Sequence, residues 1–342
     1  MRKTALAKIV SATALTAAAV TLAAGPALAD PPVGTTPAAT SIVGVGSDTI
    51  QAVFNQFSTD YTGTPKLYSW DATGTSPIIT KTGATSIARP NGSGAGVSAL
   101  ESTTRTTVDF ARVSSALPAT APTNDWYIPF AKDAVSWAAQ TGGNAPANLT
   151  TADLTKIFST CTITKWNQIT DIPGYTGPAT TIKAYLPQTS SGTRSFFLGQ
   201  VGPAGACVQT TTVEENEGSN PLLQTADSIV PYSVAHFIGQ VYGGHGSGTD
   251  VPGPLTVRQI NGITPIDPST HVITTPFSTS VFGRNVSDVV RGTDWNAGDA
   301  HATALKAIFS TTGWICTNAT AQADLASYGF LHLATCGIPQ HH

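Results

Sequence analysis

Residues 41–57 read SIVGVGSDTIQAVFNQF, and this stretch decides the predicted architecture. The apolar run Ser41–Val45 predicts a β-strand. In the segment Asp48–Phe57, apolar side chains recur at the i, i+3, i+4, i+7 spacing of one helix face, at Ile50, Val53, Phe54 and Phe57. Ser47 and Asp48 are residue types that cap a helix N-terminus. The sequence therefore predicts a strand, a glycine-serine turn and a helix that begins at the turn.

The same alternation continues along the chain. Further strands are predicted at Val108–Ala111 and Ile182–Leu186, and further helices at Thr151–Phe158, Ser195–Leu198 and Ala302–Phe309. Strands that alternate with helices indicate an α/β fold.

Composition limits the classes of protein to which the chain can belong. Its 342 residues (35.1 kDa) suffice for two domains or one large two-lobed domain. Hydrophobic residues make up 41%, which supports a core and excludes wholesale disorder. Charged residues make up only 11%, against roughly 25% in a typical soluble domain. With 17 Lys and Arg against 20 Asp and Glu, the chain lacks the basic footprint of a general nucleic-acid binder.

The N-terminus has the pattern of a secretory signal peptide, residues 1–29. Three basic residues precede the apolar run Ile9–Ala24, and Ala27–Ala29 supplies a small-x-small cleavage site. We expect cleavage after Ala29 and export of a soluble protein, with 14 basic against 20 acidic residues and a net charge of −6. No cysteine adjoins the cleavage site, so no lipid anchor is expected. The Pro-, Thr- and Ala-rich residues 30–40 are expected to form a flexible leader.

The cysteines agree with export. Their even number in a secreted chain favours disulfides, formed by Cys161, Cys207, Cys316 and Cys336. Three pairings are possible, and the pairing of sequence neighbours closes the two shortest loops. The spacing does not match that of a zinc site, and we expect no metal.

Four Gly/Ser/Thr-rich turns share one design, each lying between a predicted strand and a predicted helix start. In chain order, the first to fourth turns are Gly44–Thr49, Asn91–Gly96, Arg112–Ser115 and Thr189–Arg194. Glycine lets backbone N–H groups approach a ligand, hydroxyls add donors, and helix N-termini favour negative charge. Taken singly, each turn also fits an ordinary capped turn. Four in one chain, two of them with an adjacent arginine, favour an anion site. The candidate anion-binding residues are Ser47, Asp48, Thr49, Gly92, Ser93, Gly94, Arg112, Ser114, Ser115, Ser190, Ser191, Gly192, Thr193 and Arg194.

Four stretches also carry a family resemblance. They are Val108–Pro118, Leu149–Asn167 (LTTADLTKIFSTCTITKWN), Ser191–Thr193 and Ile229–Tyr232. In these stretches the chain resembles the phosphate-binding subunit of bacterial phosphate importers, within the type 2 periplasmic binding protein superfamily. The resemblance extends from Val43 to Cys336.

The resemblance implies two α/β lobes joined by a hinge, which close on a phosphate or related oxyanion in the cleft between them. Lobe 1 would comprise residues 41–134 and 271–342, and lobe 2 residues 135–270. It further implies a monomer without cofactor or catalysis that delivers its solute to an ABC permease.

The chain departs from the family pattern at its ligand loops. Ser114 stands where the family has an aspartate, Asp48 where it has a threonine, and Pro187 where it has an arginine. An ionised carboxylate only accepts hydrogen bonds, so it selects a ligand that carries a proton, such as phosphate rather than sulfate. We hypothesise that Asp48 supplies this acceptor and that Arg112 or Arg194 supplies the compensating charge. The alternative is that Asp48 only caps its helix.

Enzyme signatures are missing from the sequence: there is no G-x-S-x-G, H-E-x-x-H or Walker A pattern. Glu214, Glu215 and Glu217 precede a Gly-Ser-Asn-Pro turn and are expected in a solvated loop. His236 is expected to be a packed or surface residue rather than a ligand. Because the ligand loops are altered and no lipid-attachment site is evident, the alternative function is a secreted or cell-surface interaction protein that keeps the fold without transport.

Overall fold

The structure of the protein is a computed structural model that describes residues 30–32, 34–117 and 124–341. The expected signal peptide, residues 1–29, lies outside the described residues.

The described residues form an α/β structure. Its strands are β1 (Ile42–Gly46), β2 (Leu67–Ser69), β3 (Phe110–Val113), β4 (Asp125–Gln140), β5 (Asn148–Leu149), β6 (Lys183–Ala184), β7 (Ser228–Ser233), β8 (Leu255–Val257), β9 (Gln259–Ile260), β10 (Gly283–Arg291) and β11 (Leu331–His332). Its α-helices are α1 (Gln51–Asp60), α2 (Ser93–Ser102), α3 (Thr151–Phe158), α4 (Gly192–Val201), α5 (Val234–Val241), α6 (Thr275–Ser278), α7 (Gly292–Trp295), α8 (Ala300–Phe309), α9 (Trp314–Thr317) and α10 (Ala319–Ser327). A 3₁₀ turn covers Trp166–Gln168.

One long strand, β4, organises the sheet, whose strand order is β2-β1-β3-β10-β4-β7-β6. Up to Ala134, β4 pairs with β10 and, at Ala131 and Lys132, with β11 on its other edge. From Val135 onward it pairs with β7 and β8 instead. The partners on both edges of β4 therefore change between Lys132 and Ala138, with β10 ending at Ala134 and β7 beginning at Val135. This change divides the sheet into a first half (β2, β1, β3, β10, β11) and a second half (β7, β6, β8).

Each half has its own packed aromatic side chains. In the first half, Phe54 of α1 contacts Phe110 and Phe130 with ring centroids 5.5 and 5.4 Å apart. In the second half, Phe158 of α3 packs edge-to-face on Phe197 of α4 at 5.0 Å. Burial of such rings is the main stabilising contribution of a core.

The predicted helix after the first turn begins later than expected. α1 starts at Gln51, and its N-cap position is Ile50, which makes no side-chain capping bond. The prediction that Ser47 and Asp48 cap this helix is therefore wrong. The Ser47 hydroxyl donates to Ser114 Oγ instead, and the Ser47 N–H donates to Arg112 O, so this segment is held against β3 rather than wound into the helix.

The other predicted elements differ mainly at their ends. α3 coincides with its predicted range and carries a capping box between Thr150 and Asp153. α4 and α8 are longer than predicted, while β6 is shorter and β3 lies two residues further on.

Two disulfides join sequence neighbours, Cys161–Cys207 and Cys316–Cys336. The pairing that closes the two shortest loops is therefore the one present.

Residues 30–40, expected to be a flexible leader, contain no helix or strand in their described part but contact the body. Asp30 accepts hydrogen bonds from Arg89 Nη1 (2.7 Å) and Nη2 (2.8 Å), and Pro37 O accepts one from the Thr82 N–H (2.8 Å).

Candidate functional site

The four Gly/Ser/Thr-rich turns meet in the structure. Five buried hydroxyl side chains, here called the hydroxyl cluster, lie at their junction: Ser47, Thr49, Ser93, Ser114 and Thr193. Ser47 Oγ donates to Ser114 Oγ (2.8 Å), and Ser93 Oγ lies 3.3 Å from the same oxygen. Thr49 Oγ1 and Thr193 Oγ1 are 3.1 Å apart. Residues 144 positions apart in the chain thus share a hydrogen bond.

Two of these turns converge because the strands before them are neighbours. β1 and β3 are parallel and paired, with Gly46 opposite Arg112. The turns that follow parallel strands leave the sheet at the same edge, which is where ligands bind in open α/β sheets.

Two glycines allow the other two turns to approach closely. A Cβ atom on Gly192 would lie 2.3 Å from Ser93 Oγ and 2.4 Å from Ser114 Oγ. Gly92 has a φ of +97°, and a Cβ there would lie 2.4 Å from Ser190 O. No other residue type fits at Gly192 without moving a loop.

Helix N-termini add polarity to the junction. α2 begins at Ser93 and α4 begins at Gly192, so the positive ends of two ten-residue helices lie at the hydroxyl cluster. Ser191 caps α4 by accepting from the Arg194 N–H at 3.0 Å. Of the remaining predicted residues, Ser115 and Ser190 line a cavity of about 420 Å³ beside the cluster, together with Gly94.

The guanidinium at this junction belongs to Arg284 of β10, which sequence analysis missed. Its Nη2 donates to Thr193 Oγ1 (3.0 Å) and its Nη1 to Ser114 O (2.6 Å). It also forms two hydrogen bonds to Asp133 Oδ2, of 2.9 and 2.7 Å, inside the protein. Because Arg284 contacts the third turn at Ser114 and the fourth turn at Thr193, it is the cation best placed to face an anion at the junction.

The two arginines named from the sequence have other partners. The fully buried Arg112 donates to Ser69 Oγ (2.6 Å) and to the backbone oxygens of Ser47 (3.1 Å) and Gly46 (3.4 Å). Burial lowers the pKa of Arg112 to about 10. Arg194 Nη1 donates to Pro187 O, just before its own turn (2.8 Å). Arg112 therefore braces the first turn from behind, and Arg194 braces the fourth.

Carboxylates lie close to the hydroxyl cluster. Glu215 is 1% exposed and its Oε2 accepts from Ser191 Oγ at 2.6 Å, so the expectation of a solvated loop is wrong at this residue. Its Oε1 has no hydrogen-bond partner among the described residues. Asp48 is also buried, and its Oδ2 accepts from Asn216 Nδ2 at 3.3 Å. Burial, together with Glu215 and Asp250, raises the pKa of Asp48 well above its usual value.

His236 of α5 lies between the first turn and Asp250. Its Nδ1 lies 2.9 Å from Thr49 O, and its Nε2 lies 2.6 Å from Asp250 Oδ1. Burial alone would lower the pKa of His236, but Asp250, Asp48 and the Thr49 carbonyl raise it to about 9. The expectation of a packed residue holds, and the imidazolium also offsets part of the acidic charge.

Within the described ranges, no three His, Cys, Asp or Glu side chains are grouped so as to hold a metal ion. In the same part of the chain, no helix has the length and apolar character needed to cross a bilayer.

The fold is that of a type 2 periplasmic binding protein, in which strand-to-helix turns from two α/β lobes meet at one cleft. The chain belongs to the PBP-like superfamily, since the model of the PBP superfamily domain matches residues 31–236.

Two solved structures support the fold. An ABC-type phosphate transport receptor from Vibrio cholerae aligns with a TM-score of 0.54 and 16% identity, over 86% of this chain and 100% of that one. A putative phosphate ABC transporter substrate-binding protein with bound phosphate, from Clostridium perfringens, aligns with a TM-score of 0.54 and 15% identity, over 86% of this chain and 99% of that one. No curated protein matches the sequence.

Proposed function

We propose that this protein is a secreted solute-binding protein that captures phosphate at the hydroxyl cluster and delivers it to an ABC permease. The observation that carries the proposal is the convergence of five buried hydroxyls, two helix N-termini and the Arg284 guanidinium at one junction. All of these are hydrogen-bond donors or positive dipole ends, which suit an oxyanion. The similar structures from Vibrio cholerae and Clostridium perfringens are described as phosphate transport proteins.

The donors are mostly neutral, because Asp133 balances the charge of Arg284. Binding would therefore depend on hydroxyl groups and helix N-termini that point toward the anion. In a site sheltered from water, hydrogen bonds from such groups to an anion are strong. The hydroxyls that now bond each other would turn toward the phosphate oxygens when the loops separate to admit it.

We propose that the preference for phosphate over sulfate comes from carboxylates on loops other than the one that carries the aspartate in the family. Glu215, and Asp48 in its ionised form, are buried beside the hydroxyl cluster, where each could accept a hydrogen bond from a protonated phosphate. Sulfate has no proton to donate at neutral pH, so it would face an unpaired carboxylate.

The remaining parts of the proposal concern maturation and organisation. The mature chain would begin at Asp30, stay free of a lipid anchor and act as a monomer without catalysis. Lobe 1 would comprise residues 41–134 and 271–342, and lobe 2 residues 135–270. The end of β10 pairing at Ala134 and the start of β7 pairing at Val135 support the boundary between residues 134 and 135.

The test is calorimetric titration of the chain from Asp30 with phosphate, sulfate and a neutral sugar. We expect micromolar or tighter binding of phosphate, weak binding of sulfate and none of the sugar. Silence with every anion would refute the proposal and favour an interaction protein that keeps the fold. Hydrolysis of p-nitrophenyl phosphate by the purified chain would refute the proposal that the protein has no catalytic activity.

The role of the carboxylates has its own variants. Asp48→Asn and Glu215→Gln should each lower phosphate affinity and narrow the preference for phosphate over sulfate. Asp171→Asn, which changes an exposed carboxylate in the same way, is the matched control. If the phosphate-to-sulfate ratio stays unchanged in both site variants, the carboxylates do not set selectivity.

A further inference from the structure

A separate cavity, here called the α5 groove, has a volume of about 760 Å³. It is lined by the C-terminal end of α5, by residues 252–259 and 264–266, and by Thr141 and Ala147. None of the candidate anion-binding residues lines it, and its volume lies within the range of about 300–1,000 Å³ that is typical of small-molecule sites. The α5 groove is therefore a second space in which an organic ligand would fit.

The walls of the α5 groove are mainly apolar, and part of this surface is open to solvent. Val241 and Tyr242 lie on one wall and are 42% and 48% exposed. The Tyr242 ring stacks face to face on His271, with centroids 3.9 Å apart, which fixes its orientation while the residue stays accessible. Covering Val241 and Tyr242 with an apolar group would remove hydrocarbon surface from water, which is favourable. Further apolar residues that line the groove are Phe237, Leu255, Val257 and Ile266.

Among the described residues that line the groove, Arg258 is the only charged one. Its Nη2 donates to Gln140 O at 2.9 Å, which holds the guanidinium beside the end of β4, whereas Nη1 makes no hydrogen bond to any described residue. In the same part of the chain, Arg258 forms no ion pair. Burial lowers the pKa of Arg258, as expected for a guanidinium without a carboxylate beside it. The groove therefore combines a positive charge that lacks a counter-charge with accessible apolar surface.

We propose that the α5 groove binds a small organic carboxylate whose body is apolar or aromatic. The Arg258 guanidinium would donate charge-assisted hydrogen bonds to the carboxylate, a pairing that the planar geometry of arginine favours. The apolar body would lie over Val241 and Tyr242.

The charge of the groove decides between ligand classes. Because no Asp or Glu lines the groove in the described part of the chain, an anion meets no like charge there, whereas an organic cation would be repelled by Arg258. A neutral apolar ligand would bury Arg258 further without supplying a counter-charge, which is unfavourable. An apolar carboxylate satisfies both the guanidinium and the apolar wall.

The proposal does not depend on phosphate binding, so the two proposals can fail separately. The probe is 2-naphthylacetate, titrated calorimetrically into the chain from Asp30 in phosphate-free buffer at low ionic strength, where charge interactions are least screened. Two matched compounds separate the contributions: 2-naphthylacetamide has the same shape without the charge, and acetate has the charge without the ring. We expect saturable one-to-one binding of 2-naphthylacetate and none of acetate. The amide should bind more weakly by about tenfold or more, the effect of losing one charge-assisted hydrogen bond.

Two variants locate the binding in the α5 groove. Arg258→Gln should weaken 2-naphthylacetate binding by about tenfold or more and leave binding of the amide within about twofold. Val241→Asp places a carboxylate on the exposed wall and should weaken 2-naphthylacetate binding by about tenfold or more through charge repulsion. Val281→Asp, at a valine that is 63% exposed and does not line the groove, is the matched control and should bind 2-naphthylacetate normally. Circular dichroism checks that each variant folds, and Val241→Asp decides the matter alone if Arg258→Gln does not fold.

Four results of the titrations would overturn the proposal. They are no heat with 2-naphthylacetate at millimolar concentration, equal affinity for its amide, unchanged affinity in a folded Arg258→Gln or Val241→Asp variant, and displacement by phosphate but not by chloride at the same ionic strength. Displacement by phosphate would place the ligand at the hydroxyl cluster instead. A dimer in sedimentation velocity that Val241→Asp dissociates would also overturn the proposal, because a second copy of the chain would then cover the groove.

Discussion

Replacing Gly192 by alanine tests the close approach of the fourth turn to the second and third. The added Cβ would lie 2.3 Å from Ser93 Oγ, 2.4 Å from Ser114 Oγ and 2.7 Å from Ser115 N. Ordinary contact begins near 3.4 Å, so the loops must separate by about 1 Å. Rotation of the two serine side chains cannot relieve the contact with Ser115 N, because that atom belongs to the backbone.

The expected effect follows from the cost of overpacking, about 1–3 kcal/mol for an extra methyl group in a tightly packed place. If this cost falls on the closed arrangement of the loops, phosphate affinity drops by about 5- to 150-fold, at tenfold per 1.4 kcal/mol. Gly199→Ala is the matched control, since Gly199 lies in the same helix and has nothing within 4 Å of the added methyl group. It should bind phosphate normally and be up to about 1 kcal/mol more stable, because alanine favours the helix interior.

The measurements are phosphate titration and urea unfolding of both variants alongside the natural chain. The reasoning fails if Gly192→Ala binds phosphate as tightly as Gly199→Ala does and unfolds at the same urea concentration. The turns would then tolerate the methyl group and could not be as close as described.

Three further predictions concern stability. The pKa of His236 is about 9 in the folded protein against 6.5 for the free side chain, so its protonation stabilises the fold by about 3 kcal/mol below pH 6.5. This contribution is lost as the pH rises through 9. In the variant His236→Gln, the midpoint of urea unfolding should therefore depend less on pH between 6.5 and 9 than it does in the natural chain. Replacing Cys316 and Cys336 together by serine should lower the free energy of unfolding by about 3 kcal/mol. An unchanged midpoint of urea unfolding, measured without a reducing agent, would contradict this. Arg284→Gln should destabilise the fold by about 3–5 kcal/mol by leaving a buried carboxylate unpaired, whereas Arg105→Gln, in an exposed ion pair, should cost less than about 1 kcal/mol.

Local sequence patterns predicted the helices and turns correctly where the interactions that define them lie close together in the sequence. The helix at Thr151–Phe158 coincides with its prediction because its capping residues are adjacent in sequence. The apolar spacing of Ile50 and Val53 correctly placed the buried face of α1. The glycine- and serine-rich composition also identified all four turns that meet at the hydroxyl cluster.

Predictions failed where a distant residue decides the partner. Ser47 looked like a helix cap, but its hydroxyl bonds to Ser114, 67 positions away. Arg284 reaches Ser114 O across 170 positions, a contact set by the register of β10 against β3 that no local pattern contains. Glu215 precedes a turn-forming stretch that made it look solvated, although its carboxylate bonds to Ser191 in the interior.

The passage of β4 through both halves of the sheet affects how the molecule can be dissected. Each half uses part of this strand as an interior member, flanked on both sides. A fragment that ends before Asp125 would lack β10 as well as β4, which leaves one edge of β3 unpaired. A fragment that starts after Gln140 would expose unpaired backbone donors and acceptors on the strands that flank β4. Both halves therefore depend on the continuity of β4 for complete strand pairing, which favours the intact polypeptide over separately expressed pieces.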